Sequence, residues 1–255
     1  MLNTYWKQFK SGTDIRGVAS EGVAGQEVNL TDEAIEKMAA GFVLWLSQAV
    51  EKEPSALTIA VGHDSRISAQ RIQDAVTRVL VGAGVRVLDC GLASTPSMFM
   101  TTIDLACDGS VQITASHHPF NRNGLKFFTK NGGLDGPDIE QILRFAQEGQ
   151  TPPAGEGHVE AVNYMADYAK RLREMIQKGV NAADYEHPLK GFHIVVDAGN
   201  GAGGFYASDV LAPLGADVTG SQFLEPAGMF PNHIPNPENE EAMQSICKAV
   251  LDAKA

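Results

Sequence analysis

The chain has 255 residues, which is longer than most single domains and makes two domains the first expectation. Its 44% hydrophobic and 20% charged residues are typical of globular proteins and exclude a wholly disordered chain. A net charge of −11 without a basic run argues against nucleic acid as a partner. The sequence has neither a signal-peptide core nor an apolar stretch long enough to cross a bilayer. It therefore predicts a cytoplasmic protein without a membrane partner.

Helix and strand patterns alternate through the first half of the sequence. A capping residue and two carboxylates at 31–33 precede apolar residues that recur at helical spacing up to Leu46, which predicts a helix. An apolar run at 57–61, a helical pattern ending near Gly82 and a second apolar run at 85–88 then predict a β-α-β unit.

The same order continues beyond that unit. The next predicted elements are a helix near 95–105, strands at 110–114 and 125–128, and a helix at about 137–147. Such alternation indicates a parallel or mixed sheet covered by helices on both faces. In sheets of this kind, ligands bind in the loops at the carboxyl ends of the strands.

A segment rich in Gly and Pro at 149–157 predicts a linker between two domains. The first domain is expected over 1–152 and the second over 158–255. The second domain is predicted to contain a helix at 162–178, a strand at 193–196, a Gly-rich turn and helix, a strand at 216–219, and a last helix beginning near Pro237.

No strand follows that last amphipathic helix, although α/β units normally return to one. The sequence thus predicts two three-layer α/β/α domains with mostly parallel or mixed sheets, and it predicts that the second domain is incomplete.

The segment Thr-Ala-Ser-His-His-Pro at 114–119 follows a predicted strand, so we expect Ser116 to be exposed and reactive. Serine hydrolysis is a minor alternative, because there is no Gly-x-Ser-x-Gly elbow and an adjacent His117 is poorly placed as the base. A plain polar loop is the structural alternative.

Phosphorylation of Ser116 explains the neighbouring residues better. A phosphomonoester adds about −1.5 to −2 charges and three acceptor oxygens, which need cations and donors nearby. His117 and Lys126 could provide them, and Asn123-Gly124 predicts a sharp turn that returns the lysine toward the serine. The alternative for Lys126 is a surface lysine at a strand edge.

Two other segments combine glycines with cations. The segment Gly-Thr-Asp-Ile-Arg-Gly at 12–17 contains Arg16, which can bind a phosphate through two N–H groups, although a capped turn with a surface salt bridge is the alternative. The segment Gly-His-Asp-Ser-Arg at 62–66 follows a predicted strand directly. Its Asp64 and Arg66 either contact the ligand or form a structural ion pair that holds the loop.

The run Gly-Asn-Gly-Ala-Gly-Gly at 199–204 satisfies the dinucleotide-binding pattern Gly-x-Gly-x-x-Gly. However, Asp197-Ala198 intervenes at the strand end, and Gly220-Ser221 stands where a ribose-binding carboxylate is expected. We interpret the run as a tight packing turn.

Taken together, these segments resemble the active-site loops of the α-D-phosphohexomutase family, which includes phosphoglucomutases and phosphomannomutases. The segments at 12–17, 62–66 and 114–119 resemble its first, second and phosphoserine loops, and Asn-Gly-Leu-Lys at 123–126 resembles its Asn-Gly-x-Lys. His118 stands where many members have asparagine, which leaves the mutase subtype open.

The second half of the chain carries the resemblance further. The segments Asp-Ala-Gly-Asn-Gly-Ala-Gly at 197–203 and Phe-Pro-Asn-His-Ile-Pro-Asn-Pro at 230–237 resemble parts of the family's second domain. The family's Mg²⁺-binding Asp-x-Asp-x-Asp-Arg loop does not occur in this sequence, nor do its third and fourth domains. The resemblance therefore implies the N-terminal part of such an enzyme.

The resemblance implies that phosphorylated Ser116 exchanges its phosphoryl group with a hexose phosphate, interconverting hexose 1-phosphate and hexose 6-phosphate of glucose or mannose. Glucose or mannose bisphosphate would be the intermediate and activator, and Mg²⁺ would bind the phosphate on Ser116. The residues implied as catalytic are Ser116, His117, Lys126 and Arg16. Those implied in binding substrate or phosphate are Thr13, Arg16, Asp64, Arg66, His118 and Asn123.

Two alternatives stay open at this point. One is a non-catalytic phosphosugar-binding module, and the other is a sugar phosphatase that passes the phosphoryl group of the phosphoserine to water. Lys126 and His117 are equal candidates for proton transfer. Because a phosphoserine alone seldom holds Mg²⁺ tightly, the isolated chain is expected to have negligible mutase activity.

Overall fold

The computed structural model describes residues 1–255, which divide into two compact units. The first unit comprises Met1–Ala115 and Phe120–Val162, and the second comprises Ser116–Pro119 and Asn163–Ala255. No helix in the chain combines the length and the apolar character that crossing a membrane requires.

The first unit is built on one mixed sheet of eight strands. The strands are β1 (Lys10–Ser11), β2 (Asp14–Val18), β3 (Thr58–His63), β4 (Arg86–Leu92), β5 (Gly109–Ile113), β6 (Arg122–Thr129), β7 (Gly132–Gly133) and β8 (His158–Ala161). The helices are α1 (Thr4–Lys7), α2 (Asp32–Val50), α3 (Ala69–Gly82), α4 (Thr95–Asp104) and α5 (Gly136–Glu148).

The strands lie in the order β1-β2-β6-β5-β3-β4-β8, and β7 pairs with β6 outside this path. The pairs β5–β3, β3–β4 and β4–β8 are parallel, whereas β1–β2, β2–β6 and β6–β5 are antiparallel. The predicted mixed sheet is therefore confirmed. The antiparallel half carries Asp14, Arg16 and Lys126.

Helices cover both faces of this sheet. Helix α2 packs against α3 and α5 on one face, where Val111 and Phe127 belong to the main hydrophobic core. Helix α4 covers the other face, because the Ser110 hydroxyl donates to the Met98 carbonyl (2.6 Å) and the Phe99 and Phe128 rings lie 5.9 Å apart. The unit thus has the three layers that the alternating pattern predicts.

Helix α2 illustrates how the sequence determines an element. Thr31 caps it by accepting a hydrogen bond from the Ala34 N–H (3.3 Å). The acidic Asp32 and Glu33 lie in its first turn, where their negative charges interact favourably with the helix dipole. Its apolar stripe is almost fully buried and consists of Ile35, Met38, Ala39, Phe42 and Leu46. The helix ends at Val50, and the capping residue Glu51 adopts a left-handed conformation with φ 54°.

The structure differs from the prediction at Asn123-Gly124. These residues lie inside β6, which runs from Arg122 to Thr129, and not in a turn. Gly124 pairs with Arg16 of β2, and a Cβ on Gly124 would lie only 2.0 Å from the Ile15 carbonyl oxygen. The glycine is needed because β2 approaches the backbone of β6 very closely, and not because the chain reverses there.

The first compact unit extends beyond the segment predicted as a linker at 149–157. Strand β8 (His158–Ala161) pairs in parallel with β4, so it extends the first sheet instead of opening the second domain. The Gly- and Pro-rich segment is tied to the first unit as well, because the Gly155 N–H donates to the Gly82 carbonyl (2.8 Å). The first unit consequently continues to Val162.

The second unit contains α6 (Tyr164–Val180), a π-helical segment at Tyr206–Leu211 and α7 (Glu240–Ala253). The strands predicted at 193–196 and 216–219 are reduced to isolated parallel bridges, His193 with Asp217 and Asp197 with Gln222. The ladder is interrupted because the Val196 N–H is bound by the Ser221 hydroxyl after the Gly220 turn (φ 87°). One buried cluster of this unit is formed by Ala169, Val210 and Leu214.

We predict that Gly124→Ala destabilises the first unit by about 1–3 kcal/mol, because the added methyl group collides with backbone that cannot turn away. Gly82→Ala is the matched control. Its methyl group would meet no atom within 4 Å at the end of α3, so its stability should be unchanged or higher by about 0.5 kcal/mol. Urea unfolding of both variants checks this, and equal stabilities would contradict the close approach of β2 and β6.

Candidate functional site

The first glycine-containing segment forms a tight hairpin. Gly12 takes φ 62° at the turn between β1 and β2, and Thr13 is exposed beside it. Asp14 and Arg16 then lie two residues apart in β2, so their side chains leave the strand on the same side. The backbone of this segment therefore forms a turn, as the capped-turn alternative predicts. Arg16, however, lies in strand β2 and not in the turn.

Asp14 joins two cations from neighbouring strands. Its carboxylate accepts from Arg16 Nη2 at 2.9 Å through one oxygen and from Lys126 Nζ at 2.6 Å through the other. The side chains are only partly accessible, at 11% for Asp14, 16% for Arg16 and 26% for Lys126. We call these three residues the Asp14 cluster.

The strand register explains why Lys126 belongs to this cluster. Ile15 of β2 pairs with Leu125 of β6, which brings Asp14 and Lys126 side by side. Lys126 in turn pairs with Gln112 of β5, the strand that leads to the serine loop. Lys126 is thus placed by sheet pairing and not by the predicted turn.

Arg16 has unused donor capacity. Its Nε is buried and has no hydrogen-bond partner, although Nη2 is bound to Asp14. A buried donor without a partner is costly, so such a group is well suited to an additional acceptor such as a phosphoryl oxygen.

Asp64 organises the loop after β3. It accepts from the Arg66 backbone N–H (3.0 Å), from Arg66 Nε (3.1 Å) and from the Thr114 hydroxyl (2.7 Å). Arg66 also donates through Nη1 to the Arg122 carbonyl at 2.9 Å. The network therefore ties the loop after β3 to the residues that flank the serine loop.

Arg66 has the properties of a structural residue. Its side chain has 0% exposure, so it cannot reach a ligand in this conformation. Burial lowers the pKa of its guanidinium below the ordinary value, Asp64 opposes this decrease, and nearby Arg16 adds to it. Of the two interpretations drawn from the sequence, this geometry matches the ion pair that holds the loop.

Asn123 is also engaged inside the protein. Its side chain is completely buried, donates to the Ser68 hydroxyl (3.0 Å) and accepts the Gly124 N–H (2.8 Å). Asn123 therefore anchors the start of α3 to β6. In this conformation its amide does not face a ligand, in contrast to its predicted role in binding.

Ser116 lies in an exposed loop and has a left-handed backbone conformation with φ 56°. A left-handed conformation is unfavourable for residues other than glycine and is often found at functional sites. The Ser116 Oγ is 3.3 Å from His117 Nδ1, and the His117 ring stacks on His118 with centroids 5.0 Å apart. The loop thus presents a hydroxyl beside two imidazoles.

The donor set of this chain does not fit a complete Mg²⁺ site. No group of three or more His, Cys, Asp or Glu residues is arranged to hold a metal ion. In the first unit, the carboxylates of Asp14 and Asp64 are already bound by cations. Mg²⁺ prefers six oxygen ligands in octahedral geometry, and the Ser116 hydroxyl alone supplies one.

In the second unit, Asp197 holds the glycine-rich turn together. It accepts from the Gly199 N–H (2.8 Å) and from Gln222 Nε2 (2.7 Å), and it lies 3.0 Å from His233 Nε2. The buried Asn200 donates to the Glu225 carbonyl (2.9 Å). These contacts support the interpretation of the run at 199–204 as a packing turn.

A cavity of 310 Å³ adjoins Asp197 and His233. Its other walls are mainly apolar and include Val195, Pro235 and Ile246. The segment at 230–237 therefore folds back onto Asp197.

Sequence reasoning missed Asp14 and Thr114 as members of the site. Asp14 stood within the quoted segment, but a carboxylate two residues from an arginine is usually a surface pair. The apolar pattern predicts Thr114 only as the last residue of a strand. An available signal was their position in the sequence, because Asp14 lies between Thr13 and Arg16 and Thr114 lies two residues before Ser116.

Comparison with known proteins places both units in one family. The model for "Phosphoglucomutase/phosphomannomutase, alpha/beta/alpha domain I" matches residues 7–152, and the model for domain II of the same family matches residues 166–255. Similar proteins include a phosphomannomutase of Escherichia coli, 35% identical over 206 residues that cover 77% of this chain and 44% of the relative. A phosphoglucosamine mutase of Listeria monocytogenes serotype 4b is 33% identical over 251 residues, covering 96% and 51%.

Solved structures support the fold. A phosphoglucomutase/phosphomannomutase family protein from Burkholderia thailandensis matches with a TM-score of 0.78 at 24% identity, covering 100% of this chain and 52% of that one. A phosphomannomutase-like structure from Thermus thermophilus gives a TM-score of 0.68 at 22% identity, covering 92% and 50%. The chain thus spans about half the length of the relatives that it matches.

We predict that Arg66→Met destabilises the protein by about 3 kcal/mol, because it leaves the Asp64 carboxylate without its buried partner. Arg78→Met is the control, since Arg78 forms an exposed pair with Glu36 and should contribute less than about 1 kcal/mol. Urea unfolding measures both losses. Similar losses in the two variants would contradict a structural role specific to Arg66.

We also predict that Ser116→Gly is more stable than Ser116→Ala by about 1 kcal/mol, because only glycine relieves the left-handed conformation at φ 56°. Both variants lack the hydroxyl, so their difference isolates the backbone strain. Thermal or urea unfolding checks the order, and a more stable alanine variant would show that Ser116 is unstrained.

Proposed function

Because the chain belongs to the phosphoglucomutase/phosphomannomutase family, we propose that it is the phosphoryl-carrying part of a phosphohexose mutase, with Ser116 as the carrier. The observation that carries this proposal is the exposed Ser116 with φ 56°, three residues after β5, while the neighbouring strand β6 bears Lys126. Arg16, with its unpartnered buried Nε, adds a second donor for the anion.

The proposed step moves one phosphoryl group from Ser116 Oγ to a free hydroxyl of a hexose phosphate. The P–O bond to the serine breaks and a P–O bond to the sugar oxygen forms, which yields a hexose bisphosphate. The sugar hydroxyl loses its proton and the serine oxygen gains one, and His117 and Lys126 are the candidates for these transfers. Reversal of the step from the other phosphate of the bisphosphate completes the isomerisation.

The roles of this chain are then positioning and charge stabilisation. His117 can exchange a proton with the serine oxygen, because its Nδ1 lies 3.3 Å from Ser116 Oγ. Arg16 and Lys126 supply donors for the phosphoryl oxygens. Thr13 lies in the glycine-containing segment at 12–17, and His118 lies in the serine loop at 114–119. Asp64, Arg66 and Asn123 act indirectly by fixing the backbone around these groups.

We propose Mg²⁺ as the cofactor of the complete protein, where it would neutralise phosphoryl charge. The residues of this chain do not make up its site, so its carboxylate ligands would have to come from outside residues 1–255. Glucose or mannose bisphosphate would serve as intermediate and activator. The proposed partner is a hexose phosphate, with neither nucleic acid nor membrane involved, and the proposed location is the cytoplasm.

A second candidate function is a non-catalytic phosphosugar-binding module. It is favoured by one specific observation, that the chain by itself offers a cation cluster for an anion but no metal site. Phosphate on Ser116 distinguishes the two functions, because a binding module has no need of a covalent phosphoserine.

We predict that the chain, incubated with glucose 1,6-bisphosphate, gains one phosphoryl group that intact-mass measurement and peptide mapping assign to Ser116. The Ser116→Ala variant should not gain it. Ser55→Ala is the matched control, because Ser55 is also exposed and should leave the modification unchanged. Phosphate that persists in Ser116→Ala would refute the assignment of the carrier.

The same samples can be assayed for isomerisation of glucose 1-phosphate and mannose 1-phosphate. The isolated chain should show negligible turnover even when Ser116 is phosphorylated, because the metal ligands are missing. Release of inorganic phosphate without isomer formation by the complete protein would instead indicate a sugar phosphatase.

A further inference from the structure

Asp14 is a charged residue at the site that the proposed phosphoryl transfer does not use. Its carboxylate is only 11% exposed and is bound on both sides, by Arg16 Nη2 at 2.9 Å and by Lys126 Nζ at 2.6 Å. The cations at either side of Asp14 are thus partly neutralised before any phosphoryl group is present.

A phosphoryl group needs the same two partners. It carries about −1.5 to −2 charges and binds most strongly to arginine and lysine N–H groups. Lys126 Nζ and Arg16 Nη2 already donate to Asp14, so an anion that approaches them must share these donors with the carboxylate. It is also repelled by the negative charge of Asp14.

We propose that Asp14 is a positioning residue that competes with the phosphoryl group for Arg16 and Lys126, and thereby keeps the phosphoryl group exchangeable. This inference rests on the proposed function for the identity of the anion. The carboxylate fixes both cations while the site is empty and weakens their hold on the anion when it is filled.

The chemistry of a carrier explains why such competition is useful. A group that must leave the serine and return to it cannot be bound much more tightly in its resting state than in the transition state. Two unopposed cations would stabilise the resting phosphoserine. A carboxylate between them lowers that ground-state stabilisation without removing either donor.

A role in positioning alone predicts the opposite result to competition. If Asp14 only orients the cations, its removal should weaken anion binding, because Arg16 and Lys126 would lose their fixed geometry. If it competes, its removal should strengthen anion binding. The sign of the change therefore decides between the two.

The experiment measures the Kd of inorganic phosphate at low ionic strength by isothermal titration calorimetry or NMR. All variants carry Ser116→Ala, so that no covalent phosphate occupies the loop. Asp14→Asn keeps the shape of the side chain and removes its charge. We expect it to bind phosphate about tenfold more tightly than the parent.

Three further variants make the result specific. Glu140→Gln removes the same charge from another lysine pair in the first unit, with Lys10 at 3.0 Å, and should change the Kd less than about twofold. Asp14→Glu keeps the charge and should remain close to the parent. In a Lys126→Met background, the effect of Asp14→Asn should become smaller, because one of the contested donors is gone.

Unchanged or weaker phosphate binding in a folded Asp14→Asn variant overturns the proposal, as does the absence of phosphate binding in both proteins. If Asp14→Asn does not fold, stronger phosphate binding by Asp14→Ala is the supporting result, and unchanged or weaker binding, or failure of that variant to fold as well, overturns it. Phosphorylation of Ser116 is read out separately by mass, so failure of the carrier assignment is distinguishable from failure of the competition.

Discussion

The antiparallel pairing of β2 with β6 places the three charged residues of the Asp14 cluster. Gly124 allows the two backbones to approach so closely that a Cβ would lie 2.0 Å from the Ile15 carbonyl oxygen. The register that follows sets Asp14 beside Lys126, although 112 residues separate them in the sequence. A shift of one residue would turn Lys126 to the opposite face of the sheet and dissolve the cluster.

The Asp64–Arg66 ion pair and the Asp14 cluster differ in how deeply their cations are buried. Arg66 is completely enclosed and fixed by Asp64, so it contributes to the architecture and not to ligand contact. Arg16 and Lys126 remain partly accessible, and Arg16 retains an unpartnered Nε. Because a charge at the surface can exchange partners while an enclosed one cannot, only the Asp14 cluster is able to respond to an incoming anion.

The sequence predicted elements that depend on local periodicity, such as α2 and its buried stripe, and it predicted the family from the order of its loops. It failed where distant pairing overrides a local signal. Asn123-Gly124 is a strong turn dipeptide, yet it pairs with β2 on one side, and the Thr114 N–H donates to the Gly124 carbonyl (3.1 Å) on the other. The extension of the first sheet by β8 is likewise invisible locally, because all of its residues are exposed and its partner β4 lies far away in the sequence.

The buried contacts of single residues could not be predicted in the same way, but one recurring local device could have been. Asp64 follows β3, Asp89 lies within β4, and Asp197 forms an isolated β-bridge with Gln222. Each accepts the N–H of the residue two positions later, at 3.0, 2.8 and 2.9 Å. Such an Asx turn leaves the second carboxylate oxygen of Asp64 and Asp197 for a distant partner, Thr114 in the first unit and His233 or Gln222 in the second. An aspartate at the end of an apolar run therefore does more than end a strand, because it links the next turn to a loop that arrives from elsewhere in the chain.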